Sequence, residues 1–290
     1  MNAELKENFN QLINKVIKEK FFNRKDEIVE FEYKILKLIG VGTFGIVGLI
    51  ESRGKFFAIK KVFENKHYCN REVDNLRRLN HPNIIKLYYH RYSDYNEHGR
   101  LCTMILEYGG NNLYDVMKKG RKKSLFGKYK LPKNFKDQFK NLVDALAYMH
   151  SKNICHRDLK PDNILVKEGR LILCDLGNAK ELNSKQNVSY ITNAIYRAPE
   201  NFEGMTNYTT KIDVWSLAVI MTELLFGKSI FGSEKEEIYT EIIKRKDRIR
   251  SYLKKRCSDE LLTDLLTRML RYNSVDRISM ENILKHPYFN

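Results

Sequence analysis

His156-Arg157-Asp158-Leu159-Lys160-Pro161-Asp162-Asn163, followed by Asp175-Leu176-Gly177, is the stretch on which the reading of this chain turns. Transfer of a phosphoryl group needs a carboxylate to orient the attacking hydroxyl and an amide with a second carboxylate to hold Mg²⁺. It also needs a cation on the nucleotide phosphates. Asp158, Asn163 and Asp175 match the first three requirements. A lone His-Arg-Asp is a common surface triplet, so the weight lies in the register of both clusters and in what flanks them.

Upstream, Gly40-Val41-Gly42-Thr43-Phe44-Gly45-Ile46-Val47 stands between two strand-like runs. A dinucleotide fingerprint would open a helix, whereas glycines between strands let backbone amides approach phosphates. Phe57-Ala58-Ile59-Lys60 follows, and Glu72 comes later in a helical stretch. A lysine flanked by Ala58, Ile59 and Val62 is an unusual surface choice, and Glu72 is its expected partner. Downstream stand Ala198-Pro199-Glu200 and Arg277, expected to form a buried structural ion pair between Glu200 and Arg277. In this order the motifs resemble those of a protein kinase.

That resemblance implies an α+β, bilobal fold with a small β-rich N-lobe and a larger α-helical C-lobe. Residues 1–28 are expected to form an N-terminal helical extension, 29–106 the N-lobe and 107–290 the C-lobe, with the kinase domain over about 29–289. ATP and Mg²⁺ are the implied cofactors. ATP would be bound by the glycine loop from Ile39 to Val47, that is Ile39, Gly40, Val41, Gly42, Thr43, Phe44, Gly45, Ile46 and Val47. Ala58, Lys60, the gatekeeper Leu106, Glu107 and Gly109 of the hinge, Leu165 and Cys174 would complete the site. Asp158, Lys160, Lys60 and Glu72 would be catalytic, and Asn163 and Asp175 would hold the metal. Lys160, two residues after Asp158, is the choice serine/threonine kinases make.

The 290 residues suffice for one two-lobed unit, and 42 % hydrophobic content is ordinary for a globular protein. The 52 basic against 36 acidic residues, net +16, favour phosphorylated, acidic or nucleic-acid partners without choosing among them. The five cysteines Cys69, Cys102, Cys155, Cys174 and Cys257 show no C-x-x-C spacing, and are read as buried thiols in a reducing compartment. Charged Glu4, Lys6 and Glu7 argue against a signal peptide. The apolar run Val214–Phe226, interrupted by Ser216, Thr222 and Glu223, reads as a buried helix holding Asp213 and Trp215 at its start. A cytosolic or nuclear protein is expected, with no membrane partner and with nucleic-acid tethering only as a secondary role of the basic surface.

Leu5, Phe9, Leu12, Ile13, Val16, Ile17 and Phe21 recur at three- and four-residue steps, which predicts a helix packing on its own domain, with a partner or membrane helix as the alternative. Strand-like alternation runs over Phe31–Ile50 and Phe56–Val62. After Tyr108-Gly109-Gly110 the pattern becomes helical: Pro132 marks a start, and Phe135, Phe139, Leu142, Leu146 and Met149 share a face. The basic run Arg121–Lys133 is read as a solvated connection, the alternative being a phosphate or nucleic-acid patch.

Across nearly its whole length the sequence is similar to glycogen synthase kinase-3. The likeness is densest in Cys69-Asn70-Arg71-Glu72, Leu173-Cys174-Asp175, Gly177-Asn178-Ala179-Lys180 and Val188-Ser189-Tyr190. It implies that Arg71, Arg157 and Lys180 form a pocket for a phosphate already present on the substrate, and that Tyr190 is the tyrosine of the activation segment. A competing reading is a cyclin-dependent kinase without priming, whose internal phosphothreonine position is Val188 here; Ser189 and Thr192 lie close by. The rival from another class is a pseudokinase scaffold, suggested by Leu176, Asn193 and Ala194. The stretch from Phe231 to Leu261 is too short for the family's scaffold-binding insertion, so the expected partners are protein substrates, pre-phosphorylated, and not scaffolds.

Overall fold

Strand β3 (Gly45–Ser52) returns as β4 (Lys55–Asn65) through Arg53 and Gly54, at φ 50° and 74°. Paired positive φ is what a two-residue hairpin loop demands. With β1 (Val16–Asn23), β2 (Ile28–Val41), β5 (Leu87–Asn96) and β6 (Gly99–Glu107), these strands form a closed barrel in the order β1-β2-β3-β4-β6-β5. The computed structural model describes residues 2–42, 45–65, 70–96, 99–123, 134–182, 193–232 and 234–290. The expected Thr43, Phe44, Cys69, Pro132, Val188, Ser189, Tyr190 and Thr192 lie outside them, as does most of the basic connection.

The chain divides into two compact units, Met1–Asn80 with Ile84–Gly109, and His81–Asn83 with Gly110–Asn290. In the first, strand alternation sends Phe21, Tyr33, Ile35, Ile46, Ile50, Ile59 and Ile105 into the barrel. Leu5 and Phe9 of helix α1 (Asn2–Gln11) join the same core. Helix α2 (Glu72–Arg78) buries Val73 and Leu76.

The N-terminal helix is shorter than its apolar spacing suggests. It stops at Gln11; Asn14 takes φ 67° and its N–H bonds to the Ile35 carbonyl, after which Val16–Asn23 is a strand paired with β2 from Val16↔Lys34 to Phe22↔Ile28. Residues 1–28 are therefore not a helical extension. Val16, Ile17, Phe21 and Phe22 are β-branched or aromatic and satisfy alternation as well as helical spacing. Pairing of Phe22 with His90 on β5 closes the barrel and decides the outcome.

The second unit is helical, as expected. Helix α3 (Leu113–Lys123) leads toward α4 (Phe135–Ser151), which buries Phe135, Phe139, Leu142, Leu146 and Met149. Three small strands, β7 (Asn111–Asn112), β9 (Ile164–Lys167) and β10 (Arg170–Leu173), form one sheet. Strands β8 (Ile154–Cys155) and β11 (Lys180–Glu181) form another. Between Ala198 and the C-terminus come α5 (Pro199–Phe202), α6 (Lys211–Phe226), α7 (Lys235–Arg245), α8 (Ile249–Lys254), α9 (Glu260–Met269) and α10 (Met280–Leu284). Helix α6 is buried almost all round, from Ile212 to Leu224, as its unbroken apolar run requires. Among the described residues no helix is long and apolar enough to cross a membrane.

Candidate functional site

In the first unit the site follows from strand register. Ile46, Ile59 and Ile105 face the barrel interior, so alternation puts Val47, Lys60 and Met104 on the outer face, with Ala58 and Leu106 paired on that same face. Ile46, expected beside the nucleotide, thus offers only its backbone there. Gly42 N–H bonds to the Gly45 carbonyl at 2.8 Å. A Cβ on Gly45 would overlap the Lys61 carbonyl, so this position requires glycine. Ile39 and Val41 are exposed on the same hairpin.

Lys60 Nζ donates to Glu72 Oε2 at 2.6 Å. Glu72 is buried at the first turn of α2, where its N–H bonds to Asn70 Oδ1 and the helix dipole favours a carboxylate. Arg71, one residue earlier, is exposed.

In the second unit Asp158 is the centre of a compact network. Lys160 Nζ donates to its Oδ2 at 2.9 Å, and Asn163 Nδ2 donates to the same oxygen at 3.1 Å and to the Asp158 carbonyl at 2.8 Å. Burial opposes the Lys160 charge, yet Asp158, Asp175 and Asp162 raise its pKa above that of an ordinary lysine. Both amide protons of Asn163 are spent on Asp158, so Oδ1 is the atom with which it can ligate a cation. Asp175 stands in the left-handed region at φ 59°, ψ 66°, an uncommon conformation for a non-glycine residue. The two loops are tied together: Cys174 N–H bonds to the Asn163 carbonyl at 3.0 Å, and His156 Nε2 lies 3.2 Å from the Cys174 carbonyl. A carbonyl only accepts, so that nitrogen carries the proton, while Nδ1 receives the Asp158 N–H at 3.4 Å.

What holds this loop in shape is Asp213 of α6. Its Oδ2 accepts from His156 N at 2.8 Å, His150 Nε2 at 2.9 Å and the Cys155 thiol at 3.2 Å, and its Oδ1 accepts from Arg157 N at 3.0 Å. Burial alone would raise the carboxyl pKa, but the donors, His150 foremost, hold it below the ordinary value. Burial beside that carboxylate pushes the Cys155 thiol well up, so it stays protonated. The role of Asp213 was not visible in the motifs. The available signal was a lone carboxylate in an apolar run, which must find partners once buried.

Arg157 also lies in the left-handed region, at φ 70°. Its side chain is buried against Tyr208, with Cζ 6.0 Å from the ring centroid, and Nε has no hydrogen-bond partner among the described residues. Pairing of Cys155 with Lys180 in the β8–β11 ladder brings Lys180 beside the strand that leads into Arg157. Asn193 does not bridge Asp158 and Lys160 among the described residues; its side chain accepts from Ile195 N at 3.2 Å and caps the turn Ala194–Tyr196. Leu176 is fully buried, filling its place by packing. Cys102 and Cys155 are buried, whereas Cys174 and Cys257 are only half-buried.

Residues 33–289 match the family model described as the protein kinase domain. The chain is 37 % identical to protein kinase gsk31 of Schizosaccharomyces pombe, covering 89 % of this chain and 75 % of that protein. It is 34 % identical to glycogen synthase kinase 1 of Pyricularia oryzae, over 97 % of this chain and 79 % of the relative. The chain belongs to the protein kinase family, in its glycogen synthase kinase-like branch. It is 31 % identical to a probable serine/threonine-protein kinase, the MRK1 homolog of Encephalitozoon cuniculi, over 92 % of this chain and 89 % of the relative. This protein kinase is therefore a serine/threonine enzyme that uses ATP and acts on proteins. Its donor set suits Mg²⁺, a hard cation commonly held by one or two protein oxygens together with substrate phosphates, which Asn163 Oδ1 and the Asp175 carboxylate could supply.

Proposed function

We propose that this kinase phosphorylates serine or threonine on substrates already carrying a phosphate, and that Asp158 orients the attacking hydroxyl. In this reading Lys60, positioned by Glu72, contacts the nucleotide phosphates, and Asn163 and Asp175 hold Mg²⁺, which would neutralise charge on the phosphate oxygens. Lys160, bonded to Asp158, would bring its charge to the phosphoryl group. Val47, Ala58 and Leu106 present an apolar surface of the first unit suited to a base.

The observation that carries the priming preference is Arg157, the residue before Asp158: its side chain is buried, its guanidinium engages Tyr208, and its Nε has no hydrogen-bond partner among the described residues. A buried donor left unmatched on a guanidinium is costly, and an incoming phosphate would satisfy it. Lys180 on the adjacent ladder and exposed Arg71 would add charge. Each charge-assisted bond is worth about 1.5–3 kcal/mol, so one good contact favours a primed peptide by about tenfold or more. The test compares serine peptides with and without phosphoserine four residues C-terminal to the target. A kcat/KM preference for the primed peptide that Arg71→Ala removes, chiefly through KM, is the expected result. Equal kcat/KM for both peptides in the wild type would end the priming reading.

A further inference from the structure

A cavity of ≈ 790 Å³ opens in the second unit, lined by residues of α6, α9, α10 and the segments around them. Its volume suits a ligand site, and its lining holds none of the residues assigned above to phosphate transfer or priming. Two carboxylates line it, Asp264 and Asp276, against the cations Lys211, Arg250, Arg268, Arg271, Arg277 and Lys285.

One of the two carboxylates is already spoken for. Asp264 Oδ2 accepts from Arg268 Nε at 2.8 Å and lies 3.1 Å from His286 Nε2, and Arg250 approaches Oδ1 at 3.6 Å. Burial would raise the Asp264 pKa, but His286 and Arg268 hold it low, so it remains ionised within that cluster. Arg277 is occupied by Glu200. Lys285 Nζ donates to Glu281 Oε1 at 2.6 Å, which leaves two cations over. Lys211 is half-buried, with its Nζ donating only to the Arg277 carbonyl among the described residues, and burial and Arg277 lower its pKa. Arg271 is exposed, and its guanidinium makes no hydrogen bond or ion pair among the described residues.

We infer that this cavity binds phosphate groups carried on a protein segment, with Arg271 and Lys211 as the principal contacts and Lys285 at the side. Concentrated positive charge in a concave site suits a discrete phosphate rather than a long backbone track. Val275, 83 % exposed in the lining, offers the apolar contact that a peptide side chain can use and a free anion cannot. Phosphorylated protein is also what the enzyme itself releases.

The test uses the full chain carrying Arg71→Ala, so that the proposed priming pocket is weakened and the two readings can fail separately. A fluorescent peptide with two phosphoserines is titrated by anisotropy at fixed ionic strength. Arg271→Glu is expected to weaken binding at least about tenfold and Lys285→Gln by less, with kcat on an unprimed peptide unchanged and the unphosphorylated peptide not bound. Affinity unaltered in both variants would overturn the inference. So would tighter binding of inorganic tripolyphosphate or oligothymidylate than of the phosphopeptide, lost in the same variants, since the site would then belong to free anions or nucleic acid.

Discussion

Asp213 accepts the backbone N–H of Arg157 at 3.0 Å, so the central helix of the second unit holds the main chain of the loop immediately before Asp158. The same carboxylate takes three more donors. Asp213→Asn would turn an NH₂ toward N–H groups and leave buried donors unmatched, so it should cost about 3–5 kcal/mol of unfolding free energy and most activity, read from denaturant midpoints and turnover. Its folded pKa lies below the ordinary value, so its stabilisation is present above the unfolded pKa and disappears as pH falls through the folded one. Below about pH 4 the wild type should therefore lose stability more steeply than Asp213→Asn. Parallel acid curves for the two proteins would contradict this.

The Lys60–Glu72 pair predicts a graded series. Lys60→Met and Asp158→Asn should each lower kcat by about a hundredfold or more, while far-ultraviolet circular dichroism stays unchanged. Glu72→Gln keeps a hydrogen-bond acceptor for Lys60 and should retain more activity than Lys60→Met. Turnover of Asp158→Asn equal to wild type would remove Asp158 from the reaction.

Residues 156–163 and 175 stood out because the chemistry of transfer calls for several polar groups close together in the chain, and the structure joins their loops through Cys174 N–H and the Asn163 carbonyl; Lys60 stood out because its neighbours are apolar, and it pairs with Glu72. Asp213 was not, since its partners His156 and Arg157 lie far away in sequence and pairing of that range leaves no local pattern. Arg157 and Asp175 adopt positive φ that only the assembled loop imposes, against the preference of their side chains. Val16–Asn23 misled for a different reason: apolar residues spaced by one, three and four fit both periods, and the strand won by joining the barrel edge. Asn193 carries a side chain able to cap the turn that follows, and it does so instead of reaching Asp158.

The expected pair of Glu200 with Arg277 is present and bidentate, at 2.8 and 3.0 Å, with both side chains buried and the guanidinium 5.2 Å from the Trp215 ring centroid. Arg277→Met should destabilise by about 3–5 kcal/mol, because Glu200 is left charged in the interior. The double variant Arg277→Met with Glu200→Leu should recover a large part of that loss. Additive losses in the double variant would show that packing around Trp215, not the charge, governs the effect.

Phe9 of α1 packs directly over Gly48 of β3, and a Cβ at Gly48 would overlap the far edge of the Phe9 ring. Gly48 is therefore glycine because a helix lies against the strand, not because of its backbone angles. Phe9→Ala should cost about 3–5 kcal/mol through the cavity left in the barrel core. Gly48→Ala should cost about 1–3 kcal/mol by overpacking. In the Phe9→Ala background the overlap is gone and alanine is the better strand residue, so Gly48→Ala should there be neutral or stabilising by up to about 1 kcal/mol. A double-mutant cycle by urea denaturation reads this coupling directly. Strict additivity of the two substitutions would mean that α1 is not seated on β3 in solution.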